Sequence, residues 1–192
     1  MAKSILLVGV GGQGTILAAK ILTIGLMEAG YDVKMSEIHG MSQRGGAVSS
    51  HVRYGENGEK VHSPVIEKGG ADVLIAFEQM EALRWIDYIK PGAKIVVNSQ
   101  IIKPVPVLIG KASYSDKILD ELNAKADTTV LDAFAEATSV GNARALNILL
   151  AGAAIKIMGL ENIDWNRIIA ENVRPAFIDV NQKAIKRGME LV

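Results

Sequence analysis

Short, wholly apolar runs alternate along this chain with stretches whose apolar side chains return every three or four residues. Ile5-Leu6-Leu7-Val8 is such a run, ended by Gly9, and it reads as a strand buried on both faces. Residues 14 to 29 follow with helical spacing and Gly30 as the C-cap. Tyr31 to Glu37 is a second strand, so the first 37 residues spell strand, glycine turn, helix, strand: one βαβ unit. Residues 38 to 47 carry neither period and form a loop. Val48 to Tyr54 alternates weakly, Glu56-Asn57-Gly58 supplies turn chemistry and Lys60 to Ser63 is the expected return strand. That hairpin breaks the plain strand–helix alternation and predicts a mixed sheet.

Val73 to Phe77 is the next buried strand, with a helix from Gln79 to Tyr88. Pro91-Gly92 turns the chain into a strand from Lys94 to Asn98. Pro104 and Pro106 make residues 101 to 107 a loop or edge segment. Ser115 or Asp116 caps a helix to about Ala124, and Thr128 to Leu131 is the last strand. Everything from Ala133 onward is helical, with a break at Gly141-Asn142. Ala145 to Met158 is nearly all apolar and forms a buried or partner-facing helix. Asp164-Trp165 starts another helix, and Pro175 stands near the start of a final one ending at about Met189. The pattern predicts an α/β fold with a mostly parallel, Rossmann-like sheet and a mixed hairpin portion. No repeat, linker or low-complexity segment divides the chain, so residues 1–192 are expected to form one domain.

Composition narrows the chemistry. Hydrophobic residues are 49% and charged residues 22% of the 192, which excludes a disordered chain. The 21 basic and 21 acidic residues cancel; a nucleic-acid partner would call for a basic excess, and weak self-repulsion suits a subunit of a complex. There is no cysteine, so disulfides, thiolate-held iron–sulfur clusters and cysteine-type zinc sites are excluded. His39, His51 and His62 lack metal-ligand spacing. The longest charge-free run, Ser4 to Ala19, is too short and too polar to span a bilayer. A cytoplasmic protein without membrane contact is expected.

Three stretches carry candidate chemistry. Gly9-Val10-Gly11-Gly12-Gln13-Gly14 holds a G-x-G-x-x-G pattern directly after a strand and opening a helix. Backbone N–H groups and a helix N-terminus there favour an anion, and Glu37 ends the second strand where a ribose-binding carboxylate sits in NAD sites. The same glycines also serve tight helix–strand packing, and so small a turn could hold a carboxylate or a partner's backbone. The second stretch is Glu37-Ile38-His39-Gly40-Met41-Ser42-Gln43-Arg44-Gly45-Gly46. In an open parallel sheet it shares the carboxyl edge with the glycine turn. It offers Glu37, His39, Ser42, Gln43 and the Arg44 guanidinium, suited to bidentate capture of carboxylate or phosphate. A solvated loop is the plainer alternative. The third is Gly141-Asn142-Ala143-Arg144-Ala145-Leu146-Asn147, a helix break with Asn142 as N-cap and Asn147 inside an apolar helix, where it needs a partner.

No G-x-S-x-G elbow, P-loop or thiamine-binding Gly-Asp-Gly run is present. Little here forms a self-sufficient active site.

Taken together, the Gly9–Gly14 turn, the Glu37–Gly46 block and the later Asn142 and Asn147 resemble the gamma-type module of 2-oxoacid:ferredoxin oxidoreductases, in its indolepyruvate branch, over essentially the whole chain. The glycine turn is weakly specific and the His-Gly-Met-Ser-Gln-Arg-Gly-Gly block much more so. The resemblance implies a three-layer α/β/α module. It also implies CoA-dependent oxidative decarboxylation of an aryl 2-oxoacid to an acyl-CoA and carbon dioxide, with reduction of ferredoxin. Thiamine diphosphate and [4Fe–4S] clusters are then expected on a large partner subunit, with coenzyme A as co-substrate and no cofactor held by this chain alone. The resemblance assigns no catalytic residue here; both loops are expected to face a ligand or the partner. The alternatives are a free-standing NAD-binding regulatory domain using Gly9, Gly11, Gly14 and Glu37, and an independent reductase, for which no proton donor or substrate domain stands out.

Overall fold

The computed structural model describes residues 2–40 and 45–192. Six strands form one sheet in the order β2-β3-β1-β4-β5-β6, with β1 at Lys3–Val10, β2 at Asp32–His39, β3 at Ala47–Gly55, β4 at Ala71–Ala76, β5 at Ile89–Asn98 and β6 at Asp127–Leu131. β1, β4, β5 and β6 run parallel, and β3 is antiparallel to both of its neighbours. The sheet is therefore mixed by a single reversed strand.

The apolar runs form the centre because both faces of the sheet are covered. Ile5 and Leu7 of β1 join a core with Val73, Ile75 and Val96 on one face. Leu6 and Val8 join Leu74, Ala76, Ile95 and Val97 on the other. The first face is covered by α1 (Thr15–Glu28), α5 (Ala133–Ser139), α6 (Leu146–Ile157), α7 (Trp165–Asn172) and α8 (Ile178–Glu190), and the second by α2 (Gln79–Arg84) and α4 (Ile118–Lys125). This is the three-layer α/β/α architecture expected.

Local signals explain most of the boundaries. α1 closes with Gly30 N–H donating to Met27 O and Tyr31 N–H to Leu26 O, the paired bonds of a Schellman ending. Asp164 caps α7 through Arg167 N–H, and Asn142 accepts from Arg144 N–H at the break before α6. The apolar α6 is buried against α8, where Gly152 and Gly188 allow backbones to touch: a Cβ on Gly188 would lie 1.8 Å from Leu149 O.

Five features depart from the sequence pattern. The hairpin partner of β3 is not 60–63, which is not a strand; β3 pairs with β2 on one side and β1 on the other. That insertion separates β2 from β1, so the first 37 residues are not a simple adjacent βαβ unit. Pro91-Gly92 lies inside β5, at an exposed irregularity where the β4 register jumps between Ala71 and Val73. Pro104 opens a helical turn, α3 (Val105–Leu108), because proline fits the start of a helix. Neither Ser115 nor Asp116 is the N-cap of α4; the Ser115 hydroxyl accepts from Lys117 N–H one turn earlier.

Candidate functional site

The glycine turn joins β1 to α1 at the carboxyl edge of the parallel strands. Gly14 is the N-cap of α1 with φ 85°, a left-handed conformation that suits glycine. Gln13 holds the turn: its Oε1 accepts from Val10 N–H at 2.7 Å, and its Nε2 donates to Phe77 O at 3.1 Å and Gln100 Oε1 at 3.0 Å. A side chain on Gly9 would strike Gln13 Oε1 at 2.7 Å and Phe77 Cβ at 2.9 Å. Gly9 and Gln13 thus shape the turn and do not line its cavity.

The end of the second loop is stitched to this turn. Gly11 N–H donates to Gly46 O at 2.8 Å, and Gly45 N–H donates to Gly11 O at 3.2 Å. The register explains the meeting, since Val10 pairs with Ala47 across β1–β3 and His39 with Val48 across β2–β3. A cavity of about 440 Å³ results, lined by Gly11, Gly12, Gly14, Thr15, Ile16, Glu37, His39 and Val48. The structure therefore brings the first and second candidate stretches to one place. Gly40 is exposed, and its carbonyl lies 3.2 Å from His39 Nδ1. Ser42, Gln43 and Arg44 lie outside the described residues.

Asn142 and Asn147 belong elsewhere. Asn147 donates Nδ2 to Gly14 O at 3.2 Å, answering the buried-amide question, but both asparagines line a separate cavity.

Sequence reasoning missed the amide and acid groups behind the turn. Asn98, at the end of β5, donates to Phe77 O at 3.1 Å and accepts from Ala133 N–H at 3.1 Å. Gln79 Nε2 donates to Ser99 O at 2.7 Å. Glu78, next to Phe77, is 1% exposed and caps α2 through Glu81 N–H. Burial pushes its carboxyl above the usual carboxylate range, against the hydrogen bond from Glu81 N–H. Burial, with the nearby Glu78, pushes Tyr114 up to about 12. A polar residue directly after an apolar strand was the available signal for Glu78 and Asn98.

The arrangement does not suit a dinucleotide. Such a site needs open N–H groups in the turn and the ribose carboxylate on the strand beside β1. Here the N–H groups of Val10, Gly11 and Gln13 are engaged by the protein, and Glu37 stands one strand further out, beyond β3. Among the described residues no group of three or more histidines and carboxylates could hold a metal ion, and no helix is long and apolar enough to cross a membrane.

Residues 4–191 match the family described as pyruvate ferredoxin/flavodoxin oxidoreductase. The chain belongs to that family. It is 37% identical over 195 residues to indolepyruvate oxidoreductase subunit IorB of Thermococcus kodakarensis, covering 97% of this chain and 94% of that one. Its fold matches the gamma subunit of a keto/oxoacid ferredoxin oxidoreductase from Geobacter sulfurreducens, with a TM-score of 0.71, 24% identity and 98% and 96% of the two chains covered. A 2-oxoglutarate:ferredoxin oxidoreductase from Magnetococcus marinus, solved with 2-oxoglutarate, coenzyme A and succinyl-CoA bound, contains the same fold within a longer chain. The TM-score is 0.74 at 20% identity, over 99% of this chain and 31% of that one. The resemblance carried by the two loops is thus borne out. The chain is a small subunit of a 2-oxoacid ferredoxin oxidoreductase, and a free-standing nucleotide-binding domain is not favoured.

Proposed function

We propose that this chain is a single-module small subunit of an enzyme that oxidatively decarboxylates indolepyruvate and related aryl-pyruvates with coenzyme A. The products are an acyl-CoA and carbon dioxide, and the electrons pass to ferredoxin. The observation that carries this reading is the 37% identity to an indolepyruvate oxidoreductase subunit along nearly the whole of both chains. In this reading the enzyme works in the cytoplasm.

Thiamine diphosphate and the [4Fe–4S] clusters belong on a large partner subunit, which also meets ferredoxin. The chain's own chemistry supports that division: it has no thiolate for a cluster, and several N–H groups of its glycine turn are engaged within the fold. Thiamine diphosphate supplies the electron sink for decarboxylation when bound there. This chain contributes position. The glycine turn, Glu37 and His39 form one wall, to which the Arg44 loop adds a cation for a carboxylate or for coenzyme A phosphates. Fixed groups of this kind help by orientation more than by bond-making.

The reconstituted complex tests the assignment. Arg44→Ala is expected to lower kcat/KM for indolepyruvate or coenzyme A by roughly tenfold to a hundredfold, the range of a lost charge-assisted contact. Full activity in Arg44→Ala and Glu37→Gln proteins would remove the loops from the site.

A further inference from the structure

The second cavity, of about 380 Å³, shares no lining residue with the first. It is bounded by Leu17 of α1, by the break that precedes α6, and by the α7–α8 connection with the start of α8. Its apolar walls are Leu17, Val173, Phe177 and Val180. Phe177 is 40% exposed.

Arg144 and Arg174 also line this cavity. Among the described residues Arg53, Arg84, Arg167 and Arg187 each pair with a carboxylate. Arg144 and Arg174, both exposed to solvent, are the described arginines with no such partner, and both line this cavity. Two uncompensated guanidiniums beside apolar side chains make a site for an anion with an apolar body. Inorganic phosphate would leave the apolar walls wet, and a neutral ring would leave both charges unanswered. A planar ring suits Phe177 and the flat guanidinium faces.

The carboxamides add a direction. Asn172 and Asn181 donate their Nδ2 groups to Ile168 O at 2.9 Å and Phe177 O at 2.7 Å. Their Oδ1 atoms accept no hydrogen bond from the described residues, so an N–H or O–H donor on the ring has an acceptor at the cavity wall.

We propose that this cavity binds an aromatic carboxylate, the carboxylate held between Arg144 and Arg174 and the ring lying against Leu17, Val173, Phe177 and Val180. The cavity adjoins the glycine turn through the bond from Asn147 to Gly14 O but shares no lining residue with the cavity there, and it does not depend on which 2-oxoacid the enzyme consumes.

Indole-3-acetate serves as the probe on the full-length chain, followed by calorimetry and by amide NMR shifts, with indole, acetate and inorganic phosphate in parallel. Saturable binding of indole-3-acetate is expected, at least roughly tenfold tighter than any of the other three, since a charge-assisted contact is worth about that factor. The shifts should concentrate at Asn142, Arg144, Arg174 and Phe177 and spare Gly12 and Glu37. Arg144→Gln/Arg174→Gln should abolish binding, while Lys20→Gln, an exposed charge on α1, keeps it; both are checked for an intact fold by circular dichroism. Absence of saturable binding, equal binding of indole or of acetate, or survival of binding in the double variant would overturn the site. Because the readout is binding by this chain, it fails or succeeds independently of turnover by the complex.

Discussion

Asn147 donates its side-chain amide to the carbonyl of Gly14 at 3.2 Å, tying the start of α6 to the start of α1 across 133 positions of sequence. The contact is close. A Cβ on Gly14 would lie 2.6 Å from Asn147 Nδ2, and its φ of 85° already disfavours a side chain. The geometry of the glycine turn therefore depends on a helix from the other half of the chain.

A double-mutant cycle exposes that dependence. Gly14→Ala should destabilise the chain by about 2–3 kcal/mol from strain and overlap, and Asn147→Ala by about 1–2 kcal/mol from the lost hydrogen bond. The double variant should lose clearly less than their sum, because removing the amide removes the overlap. Urea denaturation measures all three; strict additivity would mean that the two residues do not meet.

Gln13 is expected to matter for the turn more than for any ligand. Gln13→Glu replaces the donor that faces Phe77 O and Gln100 Oε1 with an acceptor, which should cost about 2 kcal/mol or more. Amide exchange at Val10, whose N–H bonds to Gln13 Oε1, should speed up in a Gln13→Ala protein. Unchanged protection there would place the support of the turn elsewhere.

The crossing of α6 and α8 is set by two glycines. A Cβ on Gly152 would lie 2.2 Å from Ile185 O, and one on Gly188 1.8 Å from Leu149 O. Backbone cannot yield as a side-chain tip can, so Gly188→Ala should cost about 3 kcal/mol or more. A thermal melt within a degree or two of wild type would contradict this packing.

His51 gives stability a pH dependence. It is 1% exposed, its Nδ1 accepts from Ile66 N–H at 3.1 Å, and its Nε2 lies 3.1 Å from Ser49 Oγ. With Nδ1 accepting, the neutral ring carries its proton on Nε2 and donates to Ser49. Burial, with the charge of Arg53, pushes its pKa down to about 4. The unfolded chain binds the proton near 6.5, so this contribution is complete above pH 6.5 and is lost as pH falls towards 4. The total is roughly 3 kcal/mol. Histidine NMR should show the His51 ring still neutral at pH 5, and a His51→Gln protein should lack this part of the slope; titration of His51 near 6.5 in the folded protein would refute it.

The parallel strands were legible because burial on both faces demands continuous apolar runs, as in Ile5–Val8 and Val73–Phe77. The place of β3 was not, because a weakly alternating segment such as Val48–Tyr54 carries no mark of which strands it pairs with. That one insertion moves Glu37 away from the strand beside the glycine turn and removes the dinucleotide geometry. Glu37 and His39 were found by composition and do meet the turn. The bond between Gln13 and Gln100 spans 87 positions, and no local pattern announces such a partner. The cavity around Arg144 and Arg174 assembles from segments distant in sequence, of which only Asn142 and Asn147 stood out on their own.

The most direct test of the account is anaerobic capture of the tagged chain from its native cells, with the eluate assayed for coenzyme A-dependent reduction of a viologen dye. Co-purification of a large iron–sulfur subunit is expected, with reduction supported by indolepyruvate in preference to pyruvate and 2-oxoglutarate. Recovery of the chain alone, inactive with every 2-oxoacid and binding NAD, would contradict it.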